Sequence, residues 1–274
     1  MGKELYALLT QHCNLSCPYC DIKDLDEDFN RDLFMKQLKE FDGDIILFGG
    51  EPTLYQDRLF DIYYSDPEIN RKIITITSNL MVVNDKLLTF FQILGKLGTS
   101  WNPSRFNKIE YNQWLTNINI IHERVPDIKI MVLVTMVDEL LNLSADEFLD
   151  IIKDWNSDIL SAINFEYYVG ETSTPEYFER CDNWLCEIYK KWNSKIELIN
   201  IKRVSNWWED CSEIYSLFPN GEIRKGCPHS LKPRVPIECY SCERVDICKP
   251  CQLQSYCSFP KKFAKLVLGE ETKI

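Results

Sequence analysis

Short apolar runs alternate with amphipathic stretches along the first 170 residues, and this alternation predicts repeated strand–helix units. Residues 5–10, 44–48, 72–77, 97–101, 129–135 and 162–167 are apolar or β-branched runs of ordinary strand length. Between them, residues 31–41, 57–64, 85–96, 108–123 and 145–155 carry apolar side chains at three- and four-residue intervals, the period of a helix with one buried face. Repeated βα units of this kind predict an α/β fold with parallel strands and right-handed crossovers. Residues 174–192 read as one long amphipathic helix carrying Cys181 and Cys186. A spacing of five puts these two thiols on different faces, so both are read as small buried hydrophobes rather than shared metal ligands. Beyond residue 205 the hydrophobic period is lost. Gly, Pro and polar residues are interleaved there with Cys211, Cys227, Cys239, Cys242, Cys248, Cys251 and Cys257.

Composition narrows the setting. The chain has 274 residues, 45% of them hydrophobic, enough for one large domain with an appendage. No apolar run reaches membrane-spanning length, and Met1-Gly2-Lys3-Glu4 leads into a strand rather than a signal peptide. Tyr6 stands where a myristoylation signal needs Ser or Thr. Twelve cysteines without an export signal predict metal ligands in a reducing, cytoplasmic compartment rather than disulfides. Residues 221–274 hold ten Lys/Arg against six Asp/Glu, a balance of +4 in a chain of net charge −11, which leaves −15 on residues 1–220. An acidic body of this size disfavours a large nucleic-acid partner.

The chemistry concentrates in residues 13–20, Cys-Asn-Leu-Ser-Cys-Pro-Tyr-Cys. Three thiolates in eight residues can hold three corners of an iron–sulfur cube, and the fourth iron is left open to a substrate or cofactor. After the strand at 44–48 comes Gly49-Gly50-Glu51-Pro52, where two glycines permit close approach to the backbone and Glu51 can accept from an ammonium group. Polar residues at strand ends form a further set: Thr77, Ser78 and Asn79, Ser100, Thr135, Glu166 and Tyr167. Each of them can equally cap the turn that follows.

The C-x3-C-x2-C spacing with aromatic Tyr19 before the last cysteine, followed about thirty residues later by Gly-Gly-Glu-Pro, resembles the radical S-adenosylmethionine (radical SAM) enzymes. The resemblance implies a partial (βα)6 TIM-like barrel over residues 1–170, with chemistry at the C-terminal ends of the strands. It implies a [4Fe–4S] cluster on Cys13, Cys17 and Cys20. SAM would then be held by Tyr19, Gly49, Gly50, Glu51, Pro52, Ser78, Asn79 and Ser100, although Ser78 and Asn79 depart from the more common Thr-Asn-Gly. The seven later cysteines resemble the SPASM extension, a small cysteine-rich C-terminal iron–sulfur domain, here residues 205–274, reached through a linking helix and strand at 171–204. By order, Cys239, Cys242, Cys248 and Cys257 would hold one auxiliary [4Fe–4S] cluster. Cys211, Cys227 and Cys251 would hold a second, with His229 or a substrate group completing it. Structural zinc on the paired C-x2-C knuckles is the alternative, but seven is an awkward number for closed tetrahedral sites. Sulfatase-maturing relatives carry an Asp directly after the second cysteine of this region. Pro228 stands there, so their general base is not carried over.

The function the resemblance implies is reductive cleavage of SAM to a 5′-deoxyadenosyl radical that abstracts hydrogen from a substrate. The tail implies a ribosomally synthesised peptide as that substrate, with Tyr167, Tyr168, Trp207 and Trp208 as candidate contacts. A flavodoxin or ferredoxin would supply electrons. A separate leader-peptide-binding protein is a further candidate partner, while a chain that opens directly on its first strand favours the small-molecule alternative below. Two alternatives remain at this point: a radical SAM enzyme acting on a sugar, nucleoside or amino acid, and a non-catalytic iron–sulfur electron carrier, for which Gly49–Pro52 would have no use.

Overall fold

The strand–helix alternation is present in the folded chain. A computed structural model describes residues 3–20, 22, 28–168, 174–199, 214–225 and 261–268. In chain order it holds strand β1 (Glu4–Leu8), helix α1 (Arg31–Glu40), β2 (Asp44–Phe48), a 3₁₀ turn (Pro52–Leu54), α2 (Gln56–Ser65), α3 (Pro67–Lys72) and β3 (Ile73–Thr77). Next come α4 (Asp85–Leu94), β4 (Lys96–Ser100), α5 (Lys108–Arg124), β5 (Lys129–Met136), α6 (Asp138–Leu141), α7 (Ala145–Ile152) and β6 (Leu160–Tyr167). The last elements are α8 (Pro175–Lys191), β7 (Glu197–Leu198), β8 (Ile214–Leu217), β9 (Ile223–Lys225) and α9 (Lys261–Leu268).

Two units divide the chain: Met1–Val132 with Cys211–His229, and Leu133–Asp210 with Ser230–Ile274. In the first, the strands lie in the order β4-β3-β2-β1-β8-β9. β1 pairs in parallel with β2 on one side, Leu8 opposite Phe48, and with β8 on the other, Glu4 opposite Ile214. The β2–β3 and β3–β4 pairs are parallel too, as βα crossovers require. This is the expected α/β class; the order by itself does not close a barrel.

Strand β8 was not foreseen. Its run Ile214-Tyr215-Ser216-Leu217 lies among cysteines, but it ends in a turn whose chemistry is explicit. Gly221 adopts φ +84, Asn220 Oδ1 accepts from Glu222 N at 2.9 Å, and β9 returns antiparallel. Asn-Gly between two apolar runs is a hairpin signal, here in a three-residue loop that closes with Gly221 in the left-handed region.

Helix boundaries follow side-chain caps. Asn84 and Asn107 start α4 and α5, and Glu110 returns a bond to the Asn107 backbone. α4 stops at Gly95, φ +68, whose N–H donates to the Phe91 carbonyl. In the second unit, Phe148 of α7, Phe165 of β6 and Trp184 of α8 meet with ring centroids 5.0–5.5 Å apart. Cys181 and Cys186 are both buried on α8, and burial pushes their thiols up to about 12 and about 11. Asp182 accepts from Lys262 N and Phe263 N at 2.8 and 2.7 Å, capping α9. Among the described residues, no helix is long and apolar enough to cross a membrane.

Candidate functional site

The chain leaving β1 does not turn away from the sheet but continues beside the end of β2. Leu9 N donates to Phe48 O at 2.8 Å, Gly50 N to Thr10 O at 2.7 Å and Glu51 N to His12 O at 2.8 Å. Such approach requires glycine at both places. A Cβ on Gly49 would lie 2.4 Å from Thr10 O, and one on Gly50 would lie 2.2 Å from His12 O. The glycine pair therefore receives the protein's own backbone, and it fixes where the cysteine segment begins. Arg58 adds a hydrogen bond to the Leu9 carbonyl while its guanidinium lies over Phe29, 3.8 Å from the ring centroid.

From this anchor the segment folds back through Cys13, Cys17 and Cys20. All three thiols are unbridged; Cys17 is buried and the other two are partly exposed. Cys13 Sγ accepts from Leu15 N at 3.4 Å and from Asn79 Nδ2 at 3.7 Å. Cys20 N donates to Cys17 O at 3.2 Å, and the Cys20 side chain packs on Leu8, Ile22 and Phe218. Among the described residues, no three His, Cys, Asp or Glu converge as ligands of one metal ion. A cluster asks for something else, since it puts each cysteine sulfur on a different iron and so keeps the sulfurs apart. Three unbridged thiols on one turn-rich segment are a donor set that fits such a group.

Glu51 is fully buried and organises the next layer. Its Oε1 accepts from Thr53 N at 3.0 Å, Thr53 Oγ1 at 2.5 Å and Ser78 Oγ at 2.9 Å, and its Oε2 accepts from Asn79 N at 2.6 Å. Read from the sequence, this carboxylate faces a ligand's ammonium group. In the fold it takes four donors of the protein itself and ties the end of β2 to the end of β3. Pro52 opens the 3₁₀ turn that Glu51 caps. Asn79 carries the link on: its Nδ2 donates to Asn14 Oδ1 at 2.7 Å as well as to Cys13. The glycine motif, the β3 corner and the cysteine segment thus form one hydrogen-bonded body.

The corner is strained. Leu80 has φ +58, a left-handed conformation that costs a non-glycine residue roughly 1–2 kcal/mol. It is held there by Leu80 N donating to Ser78 Oγ at 3.0 Å, by Asn117 Nδ2 donating to its carbonyl at 2.5 Å, and by complete burial. Ser78-Asn79-Leu80 therefore forms a corner that puts a leucine where glycine would be unstrained.

Arg105 was missed by sequence reasoning. Asn102 shapes the turn after β4, accepting from Ser104 N and Oγ at 3.1 and 2.9 Å, while Arg105 N donates to Asn102 O at 3.0 Å. The Arg105 Nε is buried and lacks a hydrogen-bond partner within the protein. Burial opposes its charge, yet Tyr19 first, and then Cys17 and Cys13, hold it above the ordinary arginine value. Burial likewise pushes Tyr19 up to about 12 against the pull of Arg105. Cys13 is raised, by burial first, with the Leu15 N–H and Arg105 acting in the other direction. A single arginine in a polar loop leaves no periodic or motif signal, so only the fold reveals it.

Ser100 ends β4 and is partly exposed. In the other unit, Glu166 accepts from Asn164 Nδ2 at 3.0 Å near the end of β6, and Tyr168 N donates to Tyr177 Oη at 2.6 Å. Cys211, Cys227, Cys239, Cys242, Cys248, Cys251 and Cys257 lie outside the described residues, as do Trp207, Trp208, Pro228 and His229.

No protein-family model matches the chain, and no curated protein matches it in sequence. Solved structures do match. The crystal structure of Streptococcus suis SuiB bound to S-adenosylmethionine aligns over 90% of this chain and 72% of that one, with a TM-score of 0.61 and 13% identity. A second crystal structure of Streptococcus suis SuiB aligns over the same shares at 0.59, again with 13% identity. The likeness is one of fold.

Proposed function

We propose that this chain is a radical SAM enzyme: Cys13, Cys17 and Cys20 hold a [4Fe–4S] cluster, and SAM binds at its open iron. The observation that supports this best is the direct bonding of the three-cysteine segment to the Gly-Gly-Glu-Pro turn and the Ser78-Asn79 corner, in a fold shared with a protein crystallised with S-adenosylmethionine. When bound and reduced, the cluster supplies the electron that splits SAM into methionine and a 5′-deoxyadenosyl radical. The chain's own residues prepare the place. Gly49 and Gly50 set the height of the cysteine segment above the sheet, Asn79 holds the Cys13 sulfur, and Glu51 holds Asn79. Tyr19, Gly49, Gly50, Pro52, Ser78, Asn79 and Ser100 are the candidates for lining the SAM position, and Glu51, whose carboxylate is taken by four protein donors, would act there only through Asn79.

The finer reading extends the same proposal. The tail cysteines would hold two auxiliary clusters, the substrate would be a ribosomally made peptide, and a cytoplasmic flavodoxin or ferredoxin would donate electrons. What supports it is the cysteine spacing beyond residue 205. Anaerobic reconstitution tests the metal content. The protein should bind about four irons at the first site and about twelve if the tail carries two more cubes. Changing Cys13, Cys17 and Cys20 together to Ala should remove about four of them. Zinc in place of iron, or full iron retention in that variant, would refute the assignment.

A further inference from the structure

We propose that the Asn79 side-chain amide donates a hydrogen bond to the Cys13 sulfur of the bound cluster and so makes its one-electron reduction easier. This rests on the cluster assignment above. Asn79 Nδ2 stands 3.7 Å from Cys13 Sγ and 2.7 Å from Asn14 Oδ1, and Leu15 N donates to the same sulfur at 3.4 Å. Sulfur is larger than oxygen, so its hydrogen bonds are the longer ones. The two N–H groups of one amide thus have two acceptors, both supplied by the cysteine segment.

The direction of the amide is fixed by its neighbours. Asn79 Oδ1 accepts from Met81 N at 2.9 Å, and turning the amide over would set its NH2 against that N–H. The backbone of Asn79 is held as well, its N–H donating to Glu51 Oε2 at 2.6 Å, and the residue is 1% exposed. A residue kept only to shape the corner needs an acceptor for Met81 N and nothing more, which Asp or Ser also supplies. The NH2 half of Asn79 does not serve that turn; it faces Cys13 and Asn14.

Asn79 acts here through charge. Three thiolates on a [4Fe–4S]2+ core sum to −1, and one electron from an external low-potential donor takes the site to −2, with no bond made or broken. An N–H dipole with its positive end at a ligand sulfur stabilises the second state more than the first, and hydrogen bonds to the sulfurs are among the quantities that set cluster potentials. Burial of Asn79 strengthens the effect, since little water competes for the bond.

The test uses the full chain, reconstituted anaerobically without SAM, with iron and sulfide measured in parallel and the midpoint potential read by EPR-monitored titration with dithionite. The signal of the first site is the part lost when Cys13, Cys17 and Cys20 are all changed to Ala. N79S keeps an oxygen for Met81 N but has no amide N–H, and it should show at least a threefold lower reduced-to-oxidised ratio at fixed potential, about 28 mV for one electron. S78A loosens the same corner, taking one donor from Glu51 and the acceptor from Leu80 N, but leaves the Asn79 amide, so its midpoint should stay close to wild type. An unchanged midpoint in N79S, or an equal shift in S78A, overturns the proposal. If N79S takes up no iron, wild type carrying asparagine labelled with 15N at the side-chain amide decides: its reduced cluster should show a 15N coupling in pulsed EPR, and no coupling overturns the proposal. A wild type with no signal beyond that of the triple-Ala variant refutes the cluster assignment itself, and this inference with it. A loaded wild type with an unshifted N79S refutes the inference alone.

Discussion

Replacing Glu51 by Gln keeps the shape of the side chain and removes its charge, so it isolates what the carboxylate does. Both oxygens are engaged, Oε1 by Thr53 N, Thr53 Oγ1 and Ser78 Oγ, and Oε2 by Asn79 N. An amide has one acceptor atom. If its oxygen stays at the Oε1 position, its NH2 meets the Asn79 N–H; if it is turned over, the NH2 meets the Thr53 N–H. Either way a buried backbone donor loses a charge-assisted bond, at about 1.5–3 kcal/mol. The bonds that remain change from charged to neutral and weaken by about half. Relief from burying a charge offsets part of this, leaving a net loss of about 3 kcal/mol. Urea unfolding of the apoprotein, followed by tryptophan fluorescence, should show this as a midpoint lowered by about 1–3 M at unchanged slope. The Asn79 contact with Cys13 should loosen too, and Cys13 should alkylate faster. A midpoint within about 0.3 M of wild type would refute the reasoning, because the four short bonds would then contribute nothing net.

Further expectations follow from the same geometry. G50A places a methyl 2.2 Å from the His12 carbonyl, so the cysteine segment must shift and reconstituted iron at the first site should fall while the tail iron stays; unchanged iron content would contradict the close-approach argument. L80G relieves roughly 1–2 kcal/mol of backbone strain but deletes a fully buried leucine worth about 2–5 kcal/mol, so thermal unfolding should show a net loss; a more stable variant would mean the strain outweighs the packing. C181A and C186A should lower the melting temperature without lowering iron content, and iron loss would make either thiol a ligand. Glu147 is held below its ordinary value of 4.5 by bonds from Ser144 N, then Ser144 Oγ. A depressed folded value means this cap stabilises α7 in full above the unfolded value and is lost as pH falls through the folded one. Amide-exchange protection in α7 should therefore fall below about pH 4.5 in wild type and become less pH-dependent in E147Q.

Local structure was legible in the sequence where it is written in consecutive residues. The strands beside Cys13 to Cys20 and Gly49 to Pro52 needed only apolar runs, and α8 was foreseen to within a residue at each end because Thr174 caps it and its buried face repeats regularly. What stayed hidden depends on pairing between distant segments. Glu51 looks like a ligand-facing carboxylate until β2 and β3 lie side by side and Ser78 and Asn79 reach it. Arg105, 85 positions away from Cys20, carries no signal of its own in the sequence. Strand β8 carried its signal in Ile214–Leu217 and Asn220-Gly221, but the surrounding cysteines drew the reading toward a metal-bound, coreless tail.

The central claim is that the site around Cys13 splits SAM. The most direct measurement is 5′-deoxyadenosine formed by anaerobically reconstituted protein given dithionite and SAM, compared with the variant in which Cys13, Cys17 and Cys20 are all Ala. The account predicts steady formation by the wild type and none by the variant, which keeps every tail cysteine. Equal formation by both, or none by a wild type carrying its full iron, would contradict it.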